Sequence, residues 1–171
     1  MLQKLITHFR YSKFKYYPEL SSLDSGLVCL KMAVDFYGKN YSMEYLQEKS
    51  AHINFPMTLQ DIVDVGDEID FIGCHMEILY HQLIDQMIPP VIIGWEEDDY
   101  VMFYGTQKNF WSFLPWIKTE RKVIIVNPKE GFRIIDEATF MNHWRQPPNK
   151  RTGAIVRILS GFTRLKAKPK D

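Results

Sequence analysis

The stretch Leu23-Asp24-Ser25-Gly26-Leu27-Val28-Cys29-Leu30-Lys31-Met32-Ala33-Val34-Asp35-Phe36-Tyr37-Gly38 opens the readable part of the chain. Leu27, Leu30, Met32, Ala33 and Val34 predict a mostly buried helix, and Gly38 stands where such a helix ends. Asp24 and Ser25 are both good N-cap residues, because a short side-chain oxygen accepts from the free N–H groups of the first turn. Ser42 opens a second predicted helix through Met43, Tyr45 and Leu46. Thr58 opens a third, with Asp61 at a capping-box spacing and Leu59, Ile62, Val63 and Val65 on its apolar side.

After Gly66 the period changes. Phe71 to Met76 reads as a strand, and Leu79 to Met87 as a short helix stopped by Pro89 and Pro90. Val91 to Trp95, Tyr100 to Gly105, Lys122 to Val126, Phe132 to Ile135 and Ala154 to Leu159 read as further strands. Asp136 caps a helix through Phe140 and Trp144. Helices followed by a largely antiparallel sheet make an α+β fold, not an alternating βαβ one. Residues 105–121 form an aromatic connection too long for a tight hairpin.

The 171 residues suit one domain, with 46% hydrophobic and 25% charged residues. Twenty-one basic and 21 acidic residues cancel, so no global field draws the chain to nucleic acid, and no basic stripe interleaved with aromatics is present. Cys29 and Cys74 make no disulfide framework, which points to a reducing compartment. No apolar run reaches the roughly 18 residues of a membrane span. The expected location is cytoplasmic, at most at the inner face of the cell membrane. His75 and His81 beside Cys74 match no standard zinc spacing. Isolated glycines make no phosphate loop. No metal and no cofactor is expected. The expected division is an N-terminal arm at 1–13, one domain at 14–160 and a basic tail at 161–171.

The ordered motifs carry a resemblance. Leu23 to Leu30 is followed by Phe36-Tyr37-Gly38, Tyr41-Ser42-Met43-Glu44-Tyr45-Leu46 and Pro90-Val91-Ile92-Ile93-Gly94-Trp95. Asp99-Tyr100-Val101-Met102 and Asn127-Pro128-Lys129-Glu130-Gly131 complete the series. The layout resembles the C39 family of bacterial cysteine peptidases, papain-like domains of bacteriocin exporters that cut leader peptides after a double-glycine motif. The resemblance implies a papain-like fold with N-terminal helices packed on an antiparallel sheet. It also implies site positions, and at all of them this chain departs from the family. The nucleophilic Cys falls on Ser25, the base His on Asp99, the orienting Asp on Asn127 and the oxyanion-hole Gln on Glu19.

These departures oppose peptide hydrolysis together. A helix N-terminus activates a thiol, but a serine hydroxyl needs a positioned base. A carboxylate is a poor proton acceptor from serine at neutral pH. An anionic Glu19 repels the oxyanion that a donor should stabilise. The expected function is a catalytically inactive domain that binds a peptide or protein, such as a double-glycine-type leader, for an ABC-type exporter. Two other functions share these residues: a serine hydrolase rebuilt around Ser25, and a regulatory docking domain. Candidate partner-binding residues are Trp95, Glu97 and Asp98, and the aromatics Phe110, Trp111, Phe113 and Trp116. The acidic group Glu19, Asp24, Glu96, Glu97, Asp98 and Asp99 favours a basic or amine-bearing partner.

Overall fold

The computed structural model describes residues 15–107, 121–144 and 152–160. The N-terminal arm, the aromatic residues Phe110, Trp111, Phe113 and Trp116, and the basic tail lie outside the described residues. A short 3-10 turn, Pro18–Leu20, precedes three helices: α1 (Ser25–Phe36), α2 (Met43–Lys49) and α3 (Leu59–Glu68). Strand β1 (Phe71–Leu79) and helix α4 (Tyr80–Gln86) follow, then β2 (Val91–Trp95), β3 (Asp99–Gln107), β4 (Lys122–Asn127), β5 (Gly131–Asp136), helix α5 (Glu137–His143) and β6 (Thr152–Ser160).

The strands form one antiparallel sheet in the order β1-β6-β2-β3-β4-β5. The last strand in sequence therefore sits between β1 and β2. Helices α1, α2 and α3 cover one face and α4 and α5 the other. Both faces of the central strands are buried, which explains why they read as continuous apolar runs. On β3, Tyr100, Met102 and Tyr104 enter the helix-side core, while Val101 and Phe103 enter the core behind the sheet. On β4, Ile124 and Val126 divide from Val123 and Ile125 in the same way.

The predicted start signals hold. The Thr58 hydroxyl accepts from Asp61 N at 3.2 Å, and the Asp61 carboxylate accepts from Thr58 N at 2.7 Å. Asp24, not Ser25, is the N-cap of α1; its Oδ1 accepts from Gly26 N and Leu27 N. Several boundaries differ from expectation, most by one or two residues. Strand β1 runs on to Leu79, because Ile78 and Leu79 still pair with Gly153 and Thr152. Helix α5 stops at His143, and Trp144 turns extended to bridge Trp95 and fill the rear core.

Candidate functional site

Ser25 is the first residue of α1, and it is placed there by its neighbour. Asp24 spends Oδ1 on the first helical N–H groups and Oδ2 on Met57 N at 3.2 Å. That tethers the loop before α3 to the start of α1. Gly26 follows, and a Cβ there would lie 3.2 Å from the Tyr100 ring and 3.1 Å from Ile62. The lack of a side chain lets β3 approach the helix start closely. The Tyr100 hydroxyl then donates to Met57 O at 2.9 Å, closing the same junction.

The Ser25 hydroxyl is fully engaged. It donates to Asp99 Oδ1 at 3.1 Å and accepts from Tyr100 N at 3.0 Å, and the residue is 3% exposed. Lys129 Nζ lies 2.7 Å from both Asp99 oxygens. Asn127 begins the turn that delivers Lys129, its Oδ1 accepting from Lys129 N at 2.8 Å. Three of the four sequence-predicted positions thus join one chain of contacts: Ser25 to Asp99, Asp99 to Lys129, and Lys129 to Asn127. Glu19 does not: it is exposed on the 3-10 turn and is not among the residues that line the cleft.

The cleft has a volume of about 670 Å³. Its lining includes the apolar Leu23, Leu27, Phe55 and Pro56. It also includes the polar Asp24, Ser25, Asp98, Asp99 and Lys129. None of the residues lining it is a histidine. Of the described histidines, His143 lines a separate pocket of about 160 Å³ that shares Asp99 and Lys129 with the cleft. Its ring stacks on Trp95, and its Nδ1 lies 2.9 Å from Glu96 Oε1. Cys29, one turn along from Ser25 on the same helix, supplies no substitute thiolate. It is fully buried, and burial pushes its thiol well up, with the charges of Asp24 and Asp99 adding to the effect.

The partner-binding candidates separate. Asp98 lines the cleft. Glu97 is exposed on the β2–β3 turn. Trp95, a partner-binding candidate, is 6% exposed and packs against Phe140 in the rear core. Helix α5, some 45 residues downstream in sequence, covers it. Lys129, Phe55 and Gln47 were not singled out from sequence. Phe55 and Gln47 lie far from the catalytic motifs, and Lys129 had a signal only as the charged residue of the Asn-Pro turn.

No groups of His, Cys, Asp and Glu suited to a metal ion occur among the described residues, and no helix among them is long and apolar enough to cross a membrane. No curated protein sequence matches the chain. Among solved structures, the chain is similar to a double-glycine-motif protease from an AMS/PCAT transporter in complex with the leader peptide. That match has 14% identity and a TM-score of 0.67, covering 86% of this chain and 91% of the other. It is similar to the peptidase domain of Streptococcus ComA, a bifunctional ABC transporter involved in quorum sensing, at 20% identity and TM-score 0.67, covering 85% and 98%. It is also similar to the N-terminal peptidase C39-like domain of a toxin secretion ATP-binding protein from Vibrio parahaemolyticus, at 12% identity and TM-score 0.56, covering 81% and 98%. The profile of the Peptidase C39 family matches residues 13–147, so the chain belongs to that family.

Proposed function

We propose that this chain is a catalytically inactive C39 domain that binds a peptide or protein substrate, such as a double-glycine-type leader, for an ABC-type exporter. The observation that carries the reading is the state of Ser25. Its one proton goes to Asp99, it accepts from Tyr100 N, and both Asp99 oxygens are committed to Lys129. A nucleophile needs a base free to take its proton, and this carboxylate is occupied by an ammonium.

What remains is a groove of mixed apolar and charged lining. Leu23, Phe55 and Pro56 offer apolar surface to a hydrophobic side chain. Asp24, Asp98 and Asp99 face a single cation, Lys129, so the lining carries an excess of negative charge. A partner segment with an apolar residue and a Lys, an Arg or a free amine suits this lining. Its volume falls within the roughly 300–1,000 Å³ common for ligand clefts and suits a short peptide segment.

The test uses the purified chain with two fluorescent peptides, a double-glycine leader and a version with added lysines. Anisotropy reads binding, and mass spectrometry reads cleavage. The expected result is saturable binding, tighter for the lysine-rich peptide, with both peptides intact after prolonged incubation. Cleavage that disappears in Ser25→Ala would overturn the reading in favour of a hydrolase. Stoichiometric capture by an exporter with no peptide affinity would overturn it in favour of a docking domain.

A further inference from the structure

Two buried charges take no part in the site described above. Lys31 and Asp35 lie on α1, with side chains 7% and 1% exposed, and Lys31 Nζ meets Asp35 Oδ2 at 2.5 Å. Charges this deep carry a desolvation cost, so the pair calls for a reason beyond its own attraction. Helix stability is a poor one. Lys before Asp is the weaker order for an i, i+4 pair, and a carboxylate in the last turn opposes the helix dipole. What the pair does is receive a second segment. The Tyr17 hydroxyl donates to Asp35 Oδ2, and Lys31 Nζ lies 5.0 Å from the centre of the Tyr17 ring. Oδ2 carries both contacts, since Asp35 Oδ1 is buried with no hydrogen-bond partner among the described residues.

Tyr17 heads a short strap that ends in the cleft. Leu20 N donates to Tyr17 O at 3.0 Å, Ser21 N to Pro18 O at 3.3 Å and Leu23 N to Leu20 O at 3.0 Å. These turns join Tyr17 to Leu23 through one hydrogen-bonded backbone, and Tyr17, Leu20 and Leu23 pack against the helix-side core. Ser21, Ser22, Leu23 and Asp24, at the far end, all line the cleft. Asp24 fastens that end to the first turn of α1, and Tyr17 fastens the other to the last turn. Extended, residues 17–24 would reach ~25 Å, whereas the path along α1 from Asp24 to Asp35 is only ~16 Å. The strap has length to spare, so Asp24 alone does not fix where residues 21–23 stand.

We propose that the Tyr17–Asp35–Lys31 cluster is a latch for the peptide cleft, and that Tyr17 is a positioning residue that sets where residues 21–23 stand in its lining. The latch's role in binding rests on the peptide-binding reading above. None of its three residues lines the cleft. It acts through Leu23, the apolar residue that the strap contributes there.

The test variant is Tyr17→Phe in the full chain, which removes the hydroxyl, keeps the ring and leaves Lys31 paired with Asp35. Hydrogen exchange at the Leu20, Ser21 and Leu23 amides should quicken about tenfold, with the α3 amides unchanged. The lysine-rich double-glycine peptide, followed by anisotropy, should bind about threefold to tenfold more weakly. In a Leu23→Ala chain the same change should alter affinity by less than about twofold, because residues that act through one another are not additive. Tyr41→Phe removes another half-buried tyrosine hydroxyl, one that donates to Ile69 O at 3.4 Å, and should change neither readout. Equal exchange in parent and Tyr17→Phe would overturn the latch. An affinity loss just as large in the Leu23→Ala chain would leave Tyr17 a general structural role and overturn its action through Leu23. Faster strap exchange in Tyr17→Phe, in a chain whose parent binds neither peptide, would instead overturn the peptide-binding reading and with it the latch's role in binding.

Discussion

On the proposed reading, Lys129 sets the charge of the cleft. Its ion pair with Asp99 is half-exposed, and such pairs contribute about 0–1 kcal/mol to stability, so Lys129→Ala should leave the fold intact. It should not leave binding intact. Removing the ammonium takes the cation away from Asp99 and makes the cleft more negative by one charge. The lysine-rich peptide should then bind about threefold to tenfold tighter at low salt, with the gain fading as ionic strength rises. Unchanged or weaker affinity in a titration of the variant would sink the acidic-groove reading. The site was only partly legible in sequence for a related reason. Ser25, Asp99 and Asn127 were found because each falls on a motif position. Lys129 meets Asp99 across 30 residues of chain, a pairing that exists only once β4 and β3 lie side by side. Glu19 shows the converse: alignment put it near the chemistry, and the local turn put it on the surface.

At the level of elements, the signals that stood out in sequence were local ones. The caps at Asp24, Ser42, Thr58 and Asp136 and the breaks at Gly38 and Pro89 depend on neighbours a few residues away, and all delimit elements observed in the fold. The seam between α5 and β6 was not legible, because it is made by residues brought together only by the sheet. There Trp144 leaves the helix, donates through Nε1 to Ala154 O at 3.3 Å, and lies flat over Gly153. A Cβ on Gly153 would overlap the Trp144 ring. Trp144 is 2% exposed and bridged to Trp95, so it has little room to yield. Gly153→Ala should therefore cost about 1–3 kcal/mol, the range for overpacking a tight core. Calorimetry should read this as a fall of several degrees in Tm; a shift of less than about one degree would mean the ring can move aside.

For the molecule as a whole, the buried hydroxyls and thiol set where the fold fails with pH. Burial raises the pKa of Tyr17, Tyr37 and Tyr104 above the ordinary tyrosine value and carries Tyr80 to about 12; Asp35 adds to the effect at Tyr17 through its hydrogen bond and charge. Cys29 is raised in the same way. In each case the folded chain keeps a proton that the unfolded chain gives up. The stability these groups confer is complete below the unfolded values, about 9 for the thiol and 10 for the phenols, and is lost as pH rises toward the folded ones. On the acid side the sign reverses. Asp136 is lowered by the N–H and hydroxyl of Thr139, and Glu44 by its own N–H and Ser42. Their contribution is present above about pH 4 and disappears below it. Both carboxylates are exposed, whereas the tyrosines and the thiol lie in or against the core, so alkali should be the stronger denaturant. Urea midpoints should stay nearly level from about pH 6 to 9 and fall steeply above about 10, with tyrosinate absorbance rising together with loss of the fold. Full tyrosinate absorbance near pH 10 in a chain that still unfolds at its neutral-pH midpoint would show that these rings ionise in place, and that the core around α1 and β3 is open to water.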